Sequence, residues 1–465
     1  MAKYFVCELE KSAISYKCGE VIKFNVFARD RCRNIDCKYI RWQLKTDDGV
    51  DLKGIGSCTK NEPLVIETTL KRAGFARLIC DALADGGNVD GSFEQLDAGA
   101  GADVEKICYH DTLPDDFYDY WQELENLIAQ TESEVLMCEE RAVTKEGFKT
   151  YDMRVKTPEG RPASFVLTIP SKQGKFPIKS TYLGYGVHPA IPEYNNDLIT
   201  AVFNAHGVEN HLTSVDLMKK YKGVLEEGYG FSNEENASNI KSYWRGMVIR
   251  ALMGVKYLKT LKEWDGQTLI LAGGSQGAFQ ALSTAAHTDG VTYLEIDIPA
   301  FCDMSACEKG YMRGWRPDFA LAFRYLDPVA QSVFLKCPVK ITAGLGDYIC
   351  PPSGVMALYN SIKTLKSITF VQASTHGYRP NERVCYTLNF DPQNPSCEFK
   401  TGKYRHFKGN EYEVLDVALN CETLEETVVY KALYGDGNIW VRPKSDFCGF
   451  VFRDNKVMKR FKFIG

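Results

Sequence analysis

The chain has 465 residues, 45% hydrophobic and 25% charged, with 60 acidic against 56 basic residues and a net charge of −4. At roughly 150 residues per domain, that length suits about three domains. The composition excludes a largely disordered chain, and the even charge, without a Lys/Arg block, excludes nucleic acid as the main partner. The opening residues show no basic start followed by an apolar segment, and no window nears about 18 consecutive apolar residues. The expectation is a soluble, cytoplasmic protein with no membrane partner. Without an export signal, the 16 cysteines read as thiols. Their closest pairs, Cys32/Cys37 and Cys302/Cys307, lack CxxC spacing, so no metal is assigned.

Residues 1–104 read as an immunoglobulin-like β-sandwich ending in a linker. In VIKFNVFA, Ile22, Phe24, Val26 and Ala28 share one face, as do Leu64, Ile66, Thr68 and Leu70 in PLVIETTL. KYIRWQLKT and GFARLICDALA are further strands, and the Gly, Asp and Ala residues from Gly86 to Asp103 read as the linker. Residues 105–385 change character. LPDDFYDYWQELENLIAQ is an amphipathic helix with Pro114 and two aspartates in its first turn. Strand-like runs then alternate with helical ones. The strands are SFVLTIP, KSTYLGYG, LITAVFNA, TLILAG, YLEIDIP, VKITAGLG and SITFVQAS; the helices include YWRGMVIRALMGVKYLKTL, AFQALSTAA and SGVMALYNSIKTL. That alternation predicts an α/β domain with a mostly parallel sheet covered on both faces. Residues 400–465 are β-rich and predict a small barrel or sandwich.

One short stretch, LILAGGSQGAFQA at 269–281, carries chemistry. A strand runs into two glycines, a serine, a further glycine and a helix. In a nucleophile elbow, the serine stands on a sharp strand-to-helix turn whose crowded backbone admits only small residues two positions either side. Gly273 and Gly277 fit those positions, and Gly274 is read as adding freedom at a tight point. G-x-S-x-G alone arises by chance about 0.2 times in such a chain, so its placement between strand and helix is what counts. The N–H of Gln276, at the start of the new helix, is aimed where an oxyanion would form.

A serine hydroxyl needs a base to take its proton and an acid to orient that base. In this fold they follow in the order Ser, Asp or Glu, His. His376 follows the last α/β strand in a polar loop, whereas His287 lies too close to the elbow and His406, in the C-terminal β region, reads as structural. Asp347, directly after VKITAGLG, is the preferred acid, and Asp297 in EIDIP is its rival. The second oxyanion donor should come from a loop after an early strand, and the Tyr185 N–H, between Gly184 and Gly186, is placed for it.

GGSQGA around Ser275, YWRG at 243–246, GLGDYICPPSGVMALYN around Asp347 and STHGY around His376 together resemble the acetyl xylan esterase and cephalosporin-C deacetylase family. The N-terminal β region followed by LPDDFYDYWQEL resembles its longer bacterial members, so the resemblance spans roughly residues 1–380. It implies an α/β-hydrolase serine esterase that removes acetyl groups from sugars, with Ser275 as nucleophile, His376 as base, Asp347 orienting it, and Tyr185 and Gln276 as oxyanion donors. The partner implied is an acetylated sugar or related acetyl ester, and no cofactor is implied. Two departures stand out: His206-Gly207-Val208 where the family commonly has Arg-Gly-Gln, and LGY where it has HGY.

Aromatic residues read as near the rim, Tyr182, Trp244, Phe301, Trp315 and Tyr348, are candidates to stack on sugar rings. The stretch 299–319 is the candidate lid. The C-terminal segment resembles a small bacterial β domain of unassigned function; its Trp440, Tyr404 and Phe407 are read as packing before ligand contact. Other readings of the same residues are a peptidase or carbon–carbon hydrolase and a carbohydrate-binding module without turnover.

Overall fold

The computed structural model describes residues 3–142, 144–222, 225, 228–377, 380, 383–392, 400–421, 426–453 and 456–465. The N-terminal part builds two four-stranded antiparallel sheets. In the first, Val21–Asp30 pairs with Tyr4–Glu8 and Leu64–Thr69, and Ile22, Phe24, Val26 and Ala28 are all buried, as a two-residue period requires. The second runs Asp51–Cys58, Cys37–Thr46, Gly74–Ala82, Leu96–Ala102.

That last strand corrects the linker expected at Gly86–Asp103. Its sequence LDAGAGA is buried at every position. Gly99 is small because another domain's backbone passes over it, so that a Cβ there would overlap the Leu345 carbonyl, whereas a Cβ on Gly101 would overlap the Phe75 and Val104 side chains. A composition that looks like a flexible linker here permits close approach of two backbones.

The central sheet has ten strands in the order Cys385–Phe390, Lys366–Val371, Val339–Gly344, Tyr293–Asp297, Trp264–Gly274, Phe176–Tyr182, Ile199–Asn204, Ala163–Pro170, Phe148–Val155, Val135–Glu140. The six from Lys366–Val371 to Ile199–Asn204 are parallel. The strand expected at KSTYLGYG ends at Tyr182, which leaves LGYG free to turn. The flanking antiparallel strands Val135–Glu140, Phe148–Val155 and Cys385–Phe390 were not expected from the sequence.

The two faces of the sheet are covered by different elements. One face carries Ile178, Leu271, Leu294, Ile341 and Ile368, all fully buried. The other carries Lys179, Tyr293, Glu295, Lys340, Ser367 and Thr369, which line a cavity of about 620 Å³ together with the paired C-terminal strands Phe450–Arg453 and Lys456–Lys459. Phe452 of the first of these strands stacks on Tyr293 at 5.1 Å. No helix forms between Phe176–Tyr182 and Ile199–Asn204 to cover this side, and the polar alternation of K-I-T and E-I-D records it.

The C-terminal region is a five-stranded antiparallel sheet, Ile439–Pro443, Glu426–Ala432, Glu411–Leu419, Gly402–His406, Phe461–Phe463, with its own core of Tyr404, Val414, Tyr430, Phe447 and Phe461. Tyr404 belongs to that core, while Trp440 is exposed on the edge strand. The His406 ring packs on Phe407 and Phe461. Among the described residues, no helix is long and apolar enough to cross a membrane.

Candidate active site

Ser275 stands between the strand Trp264–Gly274 and the helix Gln276–Ala286 with φ 56° and ψ −122°. A non-glycine residue at positive φ is strained, and the strain is held by bonds on either side. The Ser275 N–H donates to the Asp297 carbonyl at 2.9 Å, and its own carbonyl accepts from the Ala278 N–H at 3.0 Å. The two motif glycines are sterically required. A Cβ on Gly277 would overlap the Tyr182 and Leu183 carbonyls, and one on Gly273 would overlap the Gly277 carbonyl. Gly274 differs from expectation: nothing lies closer than 3.9 Å to a Cβ there, and its φ is not positive, so no tight point needs its freedom.

Ser275, His376 and Asp347 form one hydrogen-bonded chain. His376 Nε2 is 2.9 Å from Ser275 Oγ, and His376 Nδ1 is 3.0 Å from Asp347 Oδ2. With Nδ1–H donating to the carboxylate, Nε2 is left to accept from the serine hydroxyl. The buried Asp347 is fixed through Oδ1, which accepts the N–H groups of Ile349 at 2.8 Å and Cys350 at 2.9 Å. Asp297, the rival acid, contributes only its main-chain carbonyl to the elbow. Tyr378, in the STHGY motif, lies outside the described residues.

Burial pushes the pKa of the Cys350 thiol, three residues after Asp347, well above the usual thiol range. Among the described residues, Asp347, Cys350 and His376 bring possible ligand atoms within 4.8 Å of one another. A protonated thiol beside an Asp and His already bonded to each other is a poor ligand set, so the group reads as a proton relay with a neutral neighbour.

The two candidate oxyanion arms are tied together by a residue that the sequence reading missed. Tyr229 Oη accepts from the Gly186 N–H at 3.0 Å and donates to Gln276 Oε1 at 2.7 Å. Its ring stacks on Tyr185 at 4.3 Å and 11°, and the Gly228 N–H donates to Tyr185 Oη at 2.9 Å. Gln280 Nε2 donates to the Leu183 carbonyl at 3.1 Å, fixing the same turn. Burial raises the Tyr229 phenol, which keeps it a neutral donor. The sequence held a signal, since Gly228-Tyr229-Gly230 repeats Gly184-Tyr185-Gly186.

His206, the departure from the family pattern, supports this turn from behind. Its Nε2 donates to the Gly186 carbonyl at 3.0 Å, and its Nδ1 accepts from the Tyr243 hydroxyl at 2.7 Å. Burial holds its pKa down at about 3, against the opposing Gly186 hydrogen bond and with help from Arg250 and Arg161. A groove of about 620 Å³, lined by Tyr185, Gly186, Val187, Met218 and Tyr229 among others, opens beside the turn.

Two expected substrate contacts are corrected. Tyr182 is 1% exposed and stacks on Phe203, because the last residue of the strand points into the core. Trp244 is 0% exposed, and its Nε1 donates to the Gly230 carbonyl at 2.8 Å. Phe301 is buried against Trp244 but also lines a small cavity with Trp315, Arg316, Cys350 and Pro351. Trp315 and Tyr348 are 45% and 51% exposed, and Trp315 meets Tyr185 edge-on at 4.7 Å.

The expected lid, 299–319, is tied down. Asp327 accepts from the N–H groups of Asp303 and Met304, Asp47 from that of Met312, and the Ala73 carbonyl from the Tyr311 hydroxyl. With bonds to three other segments, two of these bonds fully buried, it is a wall rather than a flap.

A largely parallel sheet, a serine on a strand-to-helix elbow, and an aspartate and histidine supplied by later loops in that order define an α/β-hydrolase. Residues 103–309 and 319–391 match the acetyl xylan esterase (AXE1) family, well over half of the chain, and the chain belongs to that family. Residues 402–463 match a second family, DUF1653, a protein of unknown function. The acetyl esterase Axe7A of Xylanibacter ruminicola is 25% identical over 339 residues, 68% of this chain and 74% of that protein. Acetyl xylan esterase 1 from Thermoanaerobacterium sp. JW/SL YS485 aligns with 60% of this chain and 93% of its own at 18% identity and a TM-score of 0.48. A DUF1653 protein from Bordetella bronchiseptica aligns with 15% of this chain and 90% of its own at 33% identity and a TM-score of 0.14.

Proposed function

We propose that the protein is a serine esterase that hydrolyses acetyl esters of carbohydrates through an acyl-enzyme intermediate. The observation that carries this is the unbroken Ser275–His376–Asp347 chain at the elbow of a member of the acetyl xylan esterase family. Ser275 Oγ attacks the acetyl carbonyl as its proton passes to His376 Nε2. The oxyanion is held by the N–H groups of Tyr185 and Gln276, preorganised through Tyr229. The imidazolium, stabilised by Asp347, then protonates the departing sugar oxygen. A water, deprotonated by His376, attacks the acetyl-serine and releases acetate. No step needs a cofactor.

Trp315 and Tyr348, exposed beside Tyr185 and Asp347, are the aromatic faces we assign to the sugar ring, with Phe301 on the inner wall. We read the N-terminal pair of sheets as an immunoglobulin-like sandwich, from its short alternating strands. The test is acetate release from acetylated xylo-oligosaccharides and p-nitrophenyl acetate by the wild type and Ser275→Ala. The variant is expected to lose about 10⁶ in kcat, down to background. A variant that kept most of the activity would refute the assignment.

A further inference from the structure

We propose that the N-terminal domain is a working part of the hydrolase site, with Arg77 and Gln372 acting as positioning residues for the loops of Asp347 and His376. This rests on the Ser275 relay proposed above. The region matching the esterase family begins at residue 103, so Arg77, Asp97 and Gly99 all lie outside it.

Arg77 sits on the strand Gly74–Ala82, and its side chain is 11% exposed. Its Nε donates to the Gly346 carbonyl at 3.0 Å, and its guanidinium lies 4.8 Å from the centre of the Tyr348 ring. It thereby grips both chain neighbours of Asp347. The guanidinium is oriented by an ion pair with buried Asp97. The approach is close enough that a Cβ on Gly346 would overlap the Asp97 main chain.

Gln372, four residues before His376, reaches the strand Leu96–Ala102 that also carries Asp97. Its Nε2 donates to the Gly99 carbonyl at 2.8 Å, and its Oε1 accepts the Gly99 N–H at 2.9 Å and the Ala373 N–H at 3.0 Å. The side-chain amide thus completes a strand-like pair of bonds from one domain to the other. The two loops are also joined directly, since the Gly346 N–H donates to the Ser374 carbonyl at 3.1 Å. One strand, Leu96–Ala102, therefore holds the acid loop through Asp97 and Arg77 and the base loop through Gly99. Small displacements matter here, because a shift of about 1 Å in a reacting group can cost about 10²-fold in rate.

The experiment uses the full-length protein with p-nitrophenyl acetate, well below its unfolding temperature. Arg77→Ala is expected to lower kcat about 10- to 100-fold while KM stays within about threefold. Free guanidinium ion should restore part of that kcat. Arg77→Lys, which keeps the charge but not the planar fork, should fall between. Gln372→Met, of similar volume and without the two interdomain bonds, should show the same split and decides the matter if Arg77→Ala does not fold. A Gln372→Met protein with kcat within about twofold of wild type, or an altered KM with kcat intact, overturns the proposal. An active Ser275→Ala protein would instead overturn the relay on which it rests, so the two failures are distinct.

Discussion

Tyr229 and Gln276 share a buried hydrogen bond of 2.7 Å that couples the elbow helix to the turn carrying Tyr185. Because the same hydroxyl accepts from the Gly186 N–H, one phenol ties together the two backbone segments that we propose as oxyanion donors. Tyr229→Phe keeps the stacked ring and deletes only this link, leaving a buried amide oxygen and an N–H without their partner. Such orphans cost about 1–3 kcal/mol. We expect kcat to fall about tenfold, equivalent to about 1.4 kcal/mol, with a smaller change in KM. Unchanged kcat would mean that the two arms hold their spacing without the link.

The three elbow glycines should separate cleanly. Gly273→Ala and Gly277→Ala drive a methyl into main-chain carbonyls that cannot rotate away, and overpacking of this kind costs about 1–3 kcal/mol or more. Gly274→Ala has open space and an ordinary φ, so it should retain stability within about 1 kcal/mol. Urea unfolding of the three variants checks the order, and a Gly274→Ala protein as unstable as Gly277→Ala would contradict the geometry.

Asp347 and Asp297 were both credible acids in the sequence, and only one reaches His376. Asp347→Asn preserves shape but lets the amide favour the wrong imidazole tautomer, and by analogy with other triads kcat should drop about 10⁴-fold. Asp297→Asn should leave kcat within about threefold, because the elbow uses the carbonyl and not the side chain. Steady-state hydrolysis of p-nitrophenyl acetate compares them directly.

Much of this site is legible from the chain alone because its constraints are local or ordered along the sequence. Crowding at an elbow selects Gly273 and Gly277, and the order Ser, Asp, His follows from which strand ends lie at the top of a parallel sheet. What escaped notice depends on contacts far apart in the chain. Tyr229 meets Gln276 across 47 positions and Gln372 meets Gly99 across 273, and no periodicity encodes either pair. Tyr182 and Trp244 misled because an aromatic residue near a motif is as readily core as rim, and strand-end orientation decides which. LDAGAGA misled in the opposite way: its small residues serve a buried strand under a neighbouring domain.

His206 gives the fold a signed dependence on pH. In the folded protein, burial holds its pKa at about 3, whereas an unfolded chain takes up the proton near 6.5. A depressed folded value means that stability is full above about pH 6.5 and is lost as the pH falls toward 3, at up to about 1.4 kcal/mol per pH unit. Carboxylates elsewhere also titrate in this range, so the informative quantity is the stability gap between wild type and His206→Asn. That gap should shrink by about 2 kcal/mol between pH 7 and pH 5, measured by urea unfolding at each pH. A gap that stays constant would show that the imidazole titrates alike in both states, and the neutral donor to the Gly186 carbonyl would have to be abandoned along with the support it gives the Tyr185 turn.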